Sequence, residues 1–163
     1  MLPTSSDNIH HTSNSVYTIW ANKNQNYVRG LILGSGCNEP ELIDVPINSP
    51  EKLRIDCWLP PKLGSEETTA VQSSTFIDFP GCAHHILPAP YTVFYLAQSQ
   101  ELPKNLCATM YAHPKPSTAF RGDIVVLKKK GDGWYDMNGD DLNLACSVVG
   151  SGCFTLNGNS GPQ

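Results

Sequence analysis

Proline and glycine cut this sequence into short segments, and this punctuation limits what the chain can fold into. The chain has 13 prolines and 13 glycines. These residues end regular elements, because proline lacks a backbone N–H and glycine is conformationally free. Short strands and turns are therefore favoured over long helices. The main breaks are Asn48–Pro50, Pro60–Gly64, Pro80–Gly81, Pro88–Pro90 and Pro114–Pro116.

The runs between these breaks are rich in β-branched and aromatic residues, which is typical of strands. Val16–Trp20 and Tyr27–Leu33 predict a hairpin around an asparagine-rich turn. Tyr91–Leu96 is apolar on both faces and predicts a central strand, with a helix over 91–102 as the alternative. Further strands are predicted at Leu42–Ile47, Leu53–Leu59, Thr69–Phe79, Leu106–Ala112, Ile124–Lys129 and Trp134–Met137.

Three of these segments carry more detailed expectations. Alternation in Leu53–Leu59 predicts a half-buried strand with Ile55, Cys57 and Leu59 on one face. Asp123–Met137 predicts a hairpin, because its Gly-Asp-Gly loop allows a tight reversal. Within it, Ile124–Leu127 is expected to be an interior strand, with Trp134 and Met137 closing over one core.

The same pattern predicts the fold class and the domain organisation. Aspartates at 140 and 141 favour a helix start, and Gly150 favours its end, so one short C-terminal helix is expected. The fold is predicted to be mainly β, a sandwich or barrel of short antiparallel strands, with α+β as the alternative. The 163 residues suit one domain. We expect a flexible N-terminus at 1–15, a β-rich domain at 16–153 and a flexible tail at 154–163.

Charge and hydropathy exclude several functional classes. The net charge is −4 and the pI is about 5.6, which argues against a nucleic-acid partner, since such proteins present a basic face. No apolar run approaches the ~20 residues that a membrane-spanning helix needs. Met1–Asn14 is polar and lacks the features of a signal peptide, which predicts a cytoplasmic protein.

The chain has six cysteines at wide and irregular spacing, without the paired Cys-x-x-Cys motifs of structural zinc sites. Cys57, Cys107 and Cys146 each have apolar neighbours. There a free cysteine behaves as a small apolar residue. We therefore expect reduced thiols in the core, with a disulfide or a metal site as the alternatives.

The densest group of reactive side chains follows the Pro80–Gly81 break, at Cys82, His84 and His85. The preferred interpretation is a polar loop that binds no cofactor. Because thiolate and imidazole are ligands that zinc and copper accept, a metal site, zinc foremost, is an alternative. Cys82 and His84 would point the same way from an extended backbone. A further ligand would come from Asp78, His113 or a distant cysteine.

The same loop also suits thiol chemistry. Cys82 would be the nucleophile, with His84 or His113 as its base, provided that the thiol pKa is lowered. Both alternatives compete with the preferred interpretation, a polar loop whose histidines face water. The Asp-rich segment 136–141 does not fit an EF-hand, because Trp134 and Ala145 occupy positions that need acidic ligands. That segment is interpreted as a turn and a helix cap.

The C-terminal quarter resembles a pattern in small uncharacterised proteins of mushroom-forming fungi. The resemblance rests on Phe120–Lys129, in which a Gly-Asp pair leads into an apolar strand, and on the acidic helix start within Trp134–Asp141. It implies a fungal source and no particular activity.

Two functions are consistent with these patterns. The first is a β-rich binding or protein-interaction module for a protein or a small molecule. It is favoured because Trp20, Trp58, Trp134 and six tyrosines supply aromatic recognition surface. The alternative is a small metal- or thiol-dependent enzyme that uses the Cys82/His84/His85 loop. The common nucleotide-binding, serine-hydrolase and zinc-protease motifs are absent from the sequence.

Overall fold

The computed structural model describes residues 26–49, 52–60, 70–82, 84–113, 115 and 118–156. The predicted strand Val16–Trp20, the predicted flexible stretch 1–15 and residues 157–163 of the predicted tail lie outside these ranges. The elements are β1 Asn26–Leu33, β2 Glu41–Ser49, β3 Lys52–Leu53, a 3-10 turn Ile55–Cys57, β4 Val71–Asp78, β5 Ile86–Leu96, α1 Leu106–Tyr111, β6 Ile124–Lys130, β7 Gly133–Tyr135 and α2 Asp141–Leu156.

The strands form one seven-stranded sheet in the order β3-β2-β1-β6-β5-β4, with β7 paired to β6. Every pairing is antiparallel. The sheet curls, so that residues of its two terminal strands, β3 and β4, line the same cleft. The prediction of a mainly β fold is confirmed. The described residues contain two α-helices rather than one.

Two apolar cores lie on opposite faces of the sheet. One core lies between the sheet and the helices and includes Cys107 and Val148, and we call it the core under the helices. The other lies on the concave face of the sheet and includes Val45 and Leu59, and we call it the concave core. Because side chains alternate along a strand, Ile124 and Val126 enter the core under the helices, whereas Val125 and Leu127 enter the concave core. All four are buried, which confirms the interior strand. The prediction that Trp134 and Met137 close over one core was wrong. These residues lie three positions apart, and Trp134 packs on the concave core while Met137 packs under the helices.

The hairpin from β6 to β7 forms as predicted. Lys128 pairs with Tyr135 and Lys129 with Trp134. The reversal depends on Gly131, whose φ of +51° lies in the left-handed region that glycine adopts at little cost. The hairpin therefore fixes Trp134 beside the concave core.

β5 confirms the predicted strand at Tyr91–Leu96. The prediction that Pro88–Pro90 would interrupt the sheet was wrong. The strand begins at Ile86 and continues through both prolines. Its pairing with β4 passes from Asp78↔Ile86 to Phe76↔Tyr91, so residues 87–90 make no ladder pair with it. The prolines lie where no backbone N–H is required for strand pairing.

The predicted strand at Leu106–Ala112 was wrong, because Leu106–Tyr111 forms helix α1. The buried side chain of Asn105 accepts a hydrogen bond from the Ala108 N–H at 2.8 Å. It also donates to the carbonyl oxygens of Leu33 and Gly122, each at 2.8 Å. Asn105 thus caps the helix and fixes its start against the sheet, which overrides the local strand propensity.

Helix α2 was expected to stop at Gly150, but it continues to Leu156. A Cβ atom at Gly150 would collide with the carbonyl oxygen of Tyr111. The glycine therefore lets α1 and α2 approach closely and does not serve as a C-cap. No helix in the described part of the chain is both long enough and apolar enough to cross a membrane.

The alternating strand predicted at Leu53–Leu59 was also wrong. Only Lys52–Leu53 pairs with β2, and Ile55–Cys57 forms a 3-10 turn. The Arg54 guanidinium holds the Asp56 carboxylate at 2.9 Å across this turn. Ile55 and Leu59 are both buried. The apolar pattern is therefore satisfied by a turn that closes one end of the concave core.

Candidate binding cleft

A cleft opens on the concave side of the sheet, where the two terminal strands face each other. Its volume is about 360 Å³, within the ~300 to 1,000 Å³ range of typical ligand sites. Strands from opposite ends of the sheet contribute to it, so no single stretch of sequence contains the site. We call it the seam cleft, and its lining is Lys52, Leu53, Ile55, Val71, Ser73, Phe94 and Trp134.

Two aromatic rings form one wall of the seam cleft. The ring centroids of Phe94 and Trp134 are 6.0 Å apart at an interplanar angle of 54°. Phe94 is the cross-strand partner of Ser73, which places the ring beside a small side chain rather than beneath a large one. Both rings are only partly buried. The wall can therefore take up further apolar surface.

The charged side chains at the seam cleft are cationic. Lys52 is the charged member of its lining, and the Lys129 ammonium lies 5.9 Å from the centroid of the Trp134 ring. The ion pairs found among the described residues use Arg29, Arg54 and Lys128 instead. Within the described residues neither Lys52 nor Lys129 forms an ion pair, although the charge of Lys52 helps to lower the pKa of Asp56.

The predicted metal and catalytic residues lie elsewhere, in the loop that joins β4 to β5. Cys82, His84 and His85 are all exposed. The Cys82 N–H donates to the Phe79 carbonyl and the His85 N–H to the Cys82 carbonyl, with Gly81 at a φ of +80°. The loop is therefore a tight backbone turn that leaves the side chains of Cys82, His84 and His85 exposed.

His113 is exposed and follows the end of helix α1, not the end of a strand as expected. Among the described residues, no group of three His, Cys, Asp or Glu side chains could hold a metal ion. Within the same residues, no side-chain hydrogen bond or ion pair joins Asp78, Cys82, His84, His85 and His113. A metal or catalytic role for the loop stays a prediction.

A second cavity, of about 460 Å³, lies on the helical side between α1, α2 and the turn after β1. Cys146 lines it, and burial raises the pKa of this thiol to about 12. Burial likewise raises the pKa of Cys107. Both buried thiols are protonated near neutral pH and serve as packing groups, as the sequence predicted, whereas Cys57, predicted with them, is only partly buried. The cysteines whose side chains are described are all free, without disulfides.

Sequence reasoning identified one residue of the seam cleft, Trp134, as aromatic recognition surface. Of the other tryptophans, Trp58 packs on the concave core and donates to the Asp44 carbonyl at 3.1 Å, and Trp20 lies outside the described residues. The remaining lining residues were missed. The available signal was the alternation in Val71–Ile77, which puts small and apolar residues on one face of an uncharged stretch.

Comparison with known proteins identifies no relative. No protein-family model, no curated protein and no solved structure matches the chain. Function must therefore be inferred from the geometry of the chain itself.

Proposed function

We propose that this protein is a β-rich protein-interaction module, and that the seam cleft binds an apolar side chain of a partner protein. The observation that carries the proposal is the partly exposed Phe94–Trp134 pair, set in a cleft between the two edges of the sheet. Tryptophan at the centre of an apolar pocket is a frequent hot spot of protein interfaces.

The chemistry of the lining supports binding rather than catalysis. The described residues of the lining include no His, Cys, Asp or Glu, which are the usual acids, bases and nucleophiles. Its polar groups are the Ser73 hydroxyl and the Lys52 ammonium. A mostly apolar lining with a few polar groups is typical of binding sites.

Selection from a phage-displayed library of random dodecapeptides tests this proposal. We expect the full chain to enrich peptides that bind it, and Trp134→Ala to weaken that binding by roughly 30-fold, the equivalent of ~2 kcal/mol for a hot-spot residue. Leu106→Ala is the matched control. Leu106 is an apolar side chain, 60% exposed, on helix α1, and its loss should leave binding unchanged.

Trp134 also packs on the concave core, so thermal melting must show that the alanine variant is folded. Val71→Arg is a second variant, which fills the cleft from an exposed position on β4 and removes no core contact. Equal peptide binding by the parent, Trp134→Ala and Val71→Arg, or the absence of any enriched peptide, would contradict the proposal.

A further inference from the structure

Among the described residues, residues 71–75 of β4 carry none of the usual protection of an edge strand, and a register irregularity between Phe76 and Asp78 marks only the C-terminal end of the strand. Within the described residues β4 ends the strand order and pairs only with β5. Its sequence, VQSSTFID, contains no lysine and no proline, and its one charge is Asp78 at the end. Natural edge strands commonly carry charges, prolines or bulges that prevent another strand from pairing with them.

The register shows which backbone groups of β4 face outward. The Ala97 N–H donates to the Ala70 carbonyl, so Ala70 and Ala97 form a hydrogen-bonded pair. Such pairs alternate with non-bonded pairs along an antiparallel ladder. Gln72, Ser74 and Phe76 therefore bond to β5, whereas the N–H and C=O groups of residues 71, 73 and 75 point away from it.

The same residues of β4 present both the outward backbone groups and part of the seam cleft. Val71 and Ser73 line the cleft with their side chains, and their amide and carbonyl groups face the open edge. An extended segment laid along β4 would pair with these groups. Every second side chain of that segment would face the cleft, because side chains alternate along a strand.

The lysines near the seam cleft, on β3 and β6, indicate the composition of the segment. Lys52 and Lys129 flank the Trp134 wall, although the chain as a whole has a net charge of −4. Acidic residues in the partner would be attracted to the two ammonium groups, and basic residues would be repelled.

We infer that the partner is an extended acidic peptide segment that adds to β4 as a further strand and places an apolar side chain in the seam cleft. This inference rests on the proposed function, since it names the partner and the mode of binding at the same site. Backbone pairing supplies affinity, and the cleft with its two lysines supplies selectivity.

The peptides enriched by the dodecapeptide selection test the composition. We expect an aromatic or large aliphatic residue with Asp or Glu nearby, and weaker binding by about tenfold in the Lys52→Glu, Lys129→Glu double variant. Lys104→Glu, Lys115→Glu is the matched control, since it changes the net charge equally at two exposed positions. Enrichment of basic or proline-rich peptides would overturn the inference.

Backbone methylation tests the strand pairing. One enriched peptide is synthesised with a single N-methyl group at each position in turn. We expect losses of about tenfold at every second amide and little change at the amides between them. On the protein, Ser73→Pro and Ser73→Ala both remove the hydroxyl, but only the proline also removes the outward N–H that β5 does not use. Ser73→Pro should therefore bind about tenfold more weakly than Ser73→Ala.

The outcomes separate this inference from the proposed function. Binding that is lost in Trp134→Ala but insensitive to Ser73→Pro and to N-methylation would retain the cleft and overturn the added strand. Binding that survives in Trp134→Ala would overturn both. Sedimentation of the peptide-free chain completes the test, because a dimer that Ser73→Pro converts to a monomer would make a second copy the occupant of β4 and overturn the peptide.

Discussion

Val126→Asp should prevent the chain from folding. Val126 is completely buried and pairs with Leu31 on β1 and with Val93 on β5, at the centre of the sheet. An aspartate there would place a charge without a partner in the core under the helices. That change costs several kcal/mol, against a total stability of about 5 to 15 kcal/mol for a domain of ordinary size.

Circular dichroism and the yield of folded protein measure this effect. Ile77→Asp is the matched control, because Ile77 is a β-branched strand residue that is 62% exposed, and its replacement should cost about 1 kcal/mol or less. Val126→Ala should lower the free energy of unfolding by roughly 2 kcal/mol, an effect between those of the two aspartate variants. A folded Val126→Asp protein as stable as the parent would contradict the sheet order.

Asp141→Ala should lower the free energy of unfolding by ~2 to 3 kcal/mol, since it breaks a largely buried ion pair. Asp141 accepts from the Lys128 ammonium at 2.8 Å and from the Tyr91 hydroxyl at 3.0 Å. The side chains of Lys128 and Asp141 are 17% and 14% exposed, and Tyr91 is buried. The alanine would leave an ammonium and a hydroxyl without their acceptor.

The same network has a defined pH dependence. Burial alone would raise the pKa of Asp141, but the hydrogen bonds from Lys128, Asn138 and Tyr91 outweigh it and hold that pKa below its ordinary value of 3.8. A lowered pKa means that the carboxylate stabilises the fold above this value, and that the stabilisation is lost as the pH falls through the folded-state pKa.

Denaturant unfolding of the parent, Asp141→Ala and Asp140→Ala over a range of pH tests both statements. Asp140 is exposed, so its variant is the control and should remain close to the parent. The difference in the free energy of unfolding between the parent and Asp141→Ala should be largest near neutral pH and should shrink below about pH 4. A difference that is small at pH 7, or that grows in acid, would show that the ion pair does not stabilise the fold.

Local patterns predicted most of the strands because those strands are determined by nearby residues. Alternation, β-branching and a glycine turn suffice for the β6–β7 hairpin. They failed where a distant contact decides the conformation. Asn105 starts helix α1 through hydrogen bonds to Leu33 and Gly122. Helix α2 continues through Gly150, where the absence of a side chain lets the Tyr111 backbone pack closely.

The seam cleft could not be predicted from local patterns for the same reason. Lys52 and Ser73 belong to strands at opposite ends of the sheet, and only the curl of the sheet brings them to one cleft. The exposed Cys82 loop attracted attention because its side chains are adjacent in sequence. Adjacency in sequence can suggest candidate ligands, but it does not show which surface remains open after folding.

Hydrogen exchange of the β4 amides, resolved by NMR, tests the central claim most directly. In the free chain, Gln72, Ser74 and Phe76 should exchange slowly and residues 71, 73 and 75 rapidly, because only the first set bonds to β5. A saturating peptide from the selection should slow the second set and leave the first unchanged. Outward amides that are already protected in the free chain, or that stay rapid when the peptide saturates the protein, would contradict binding at the open edge of the sheet.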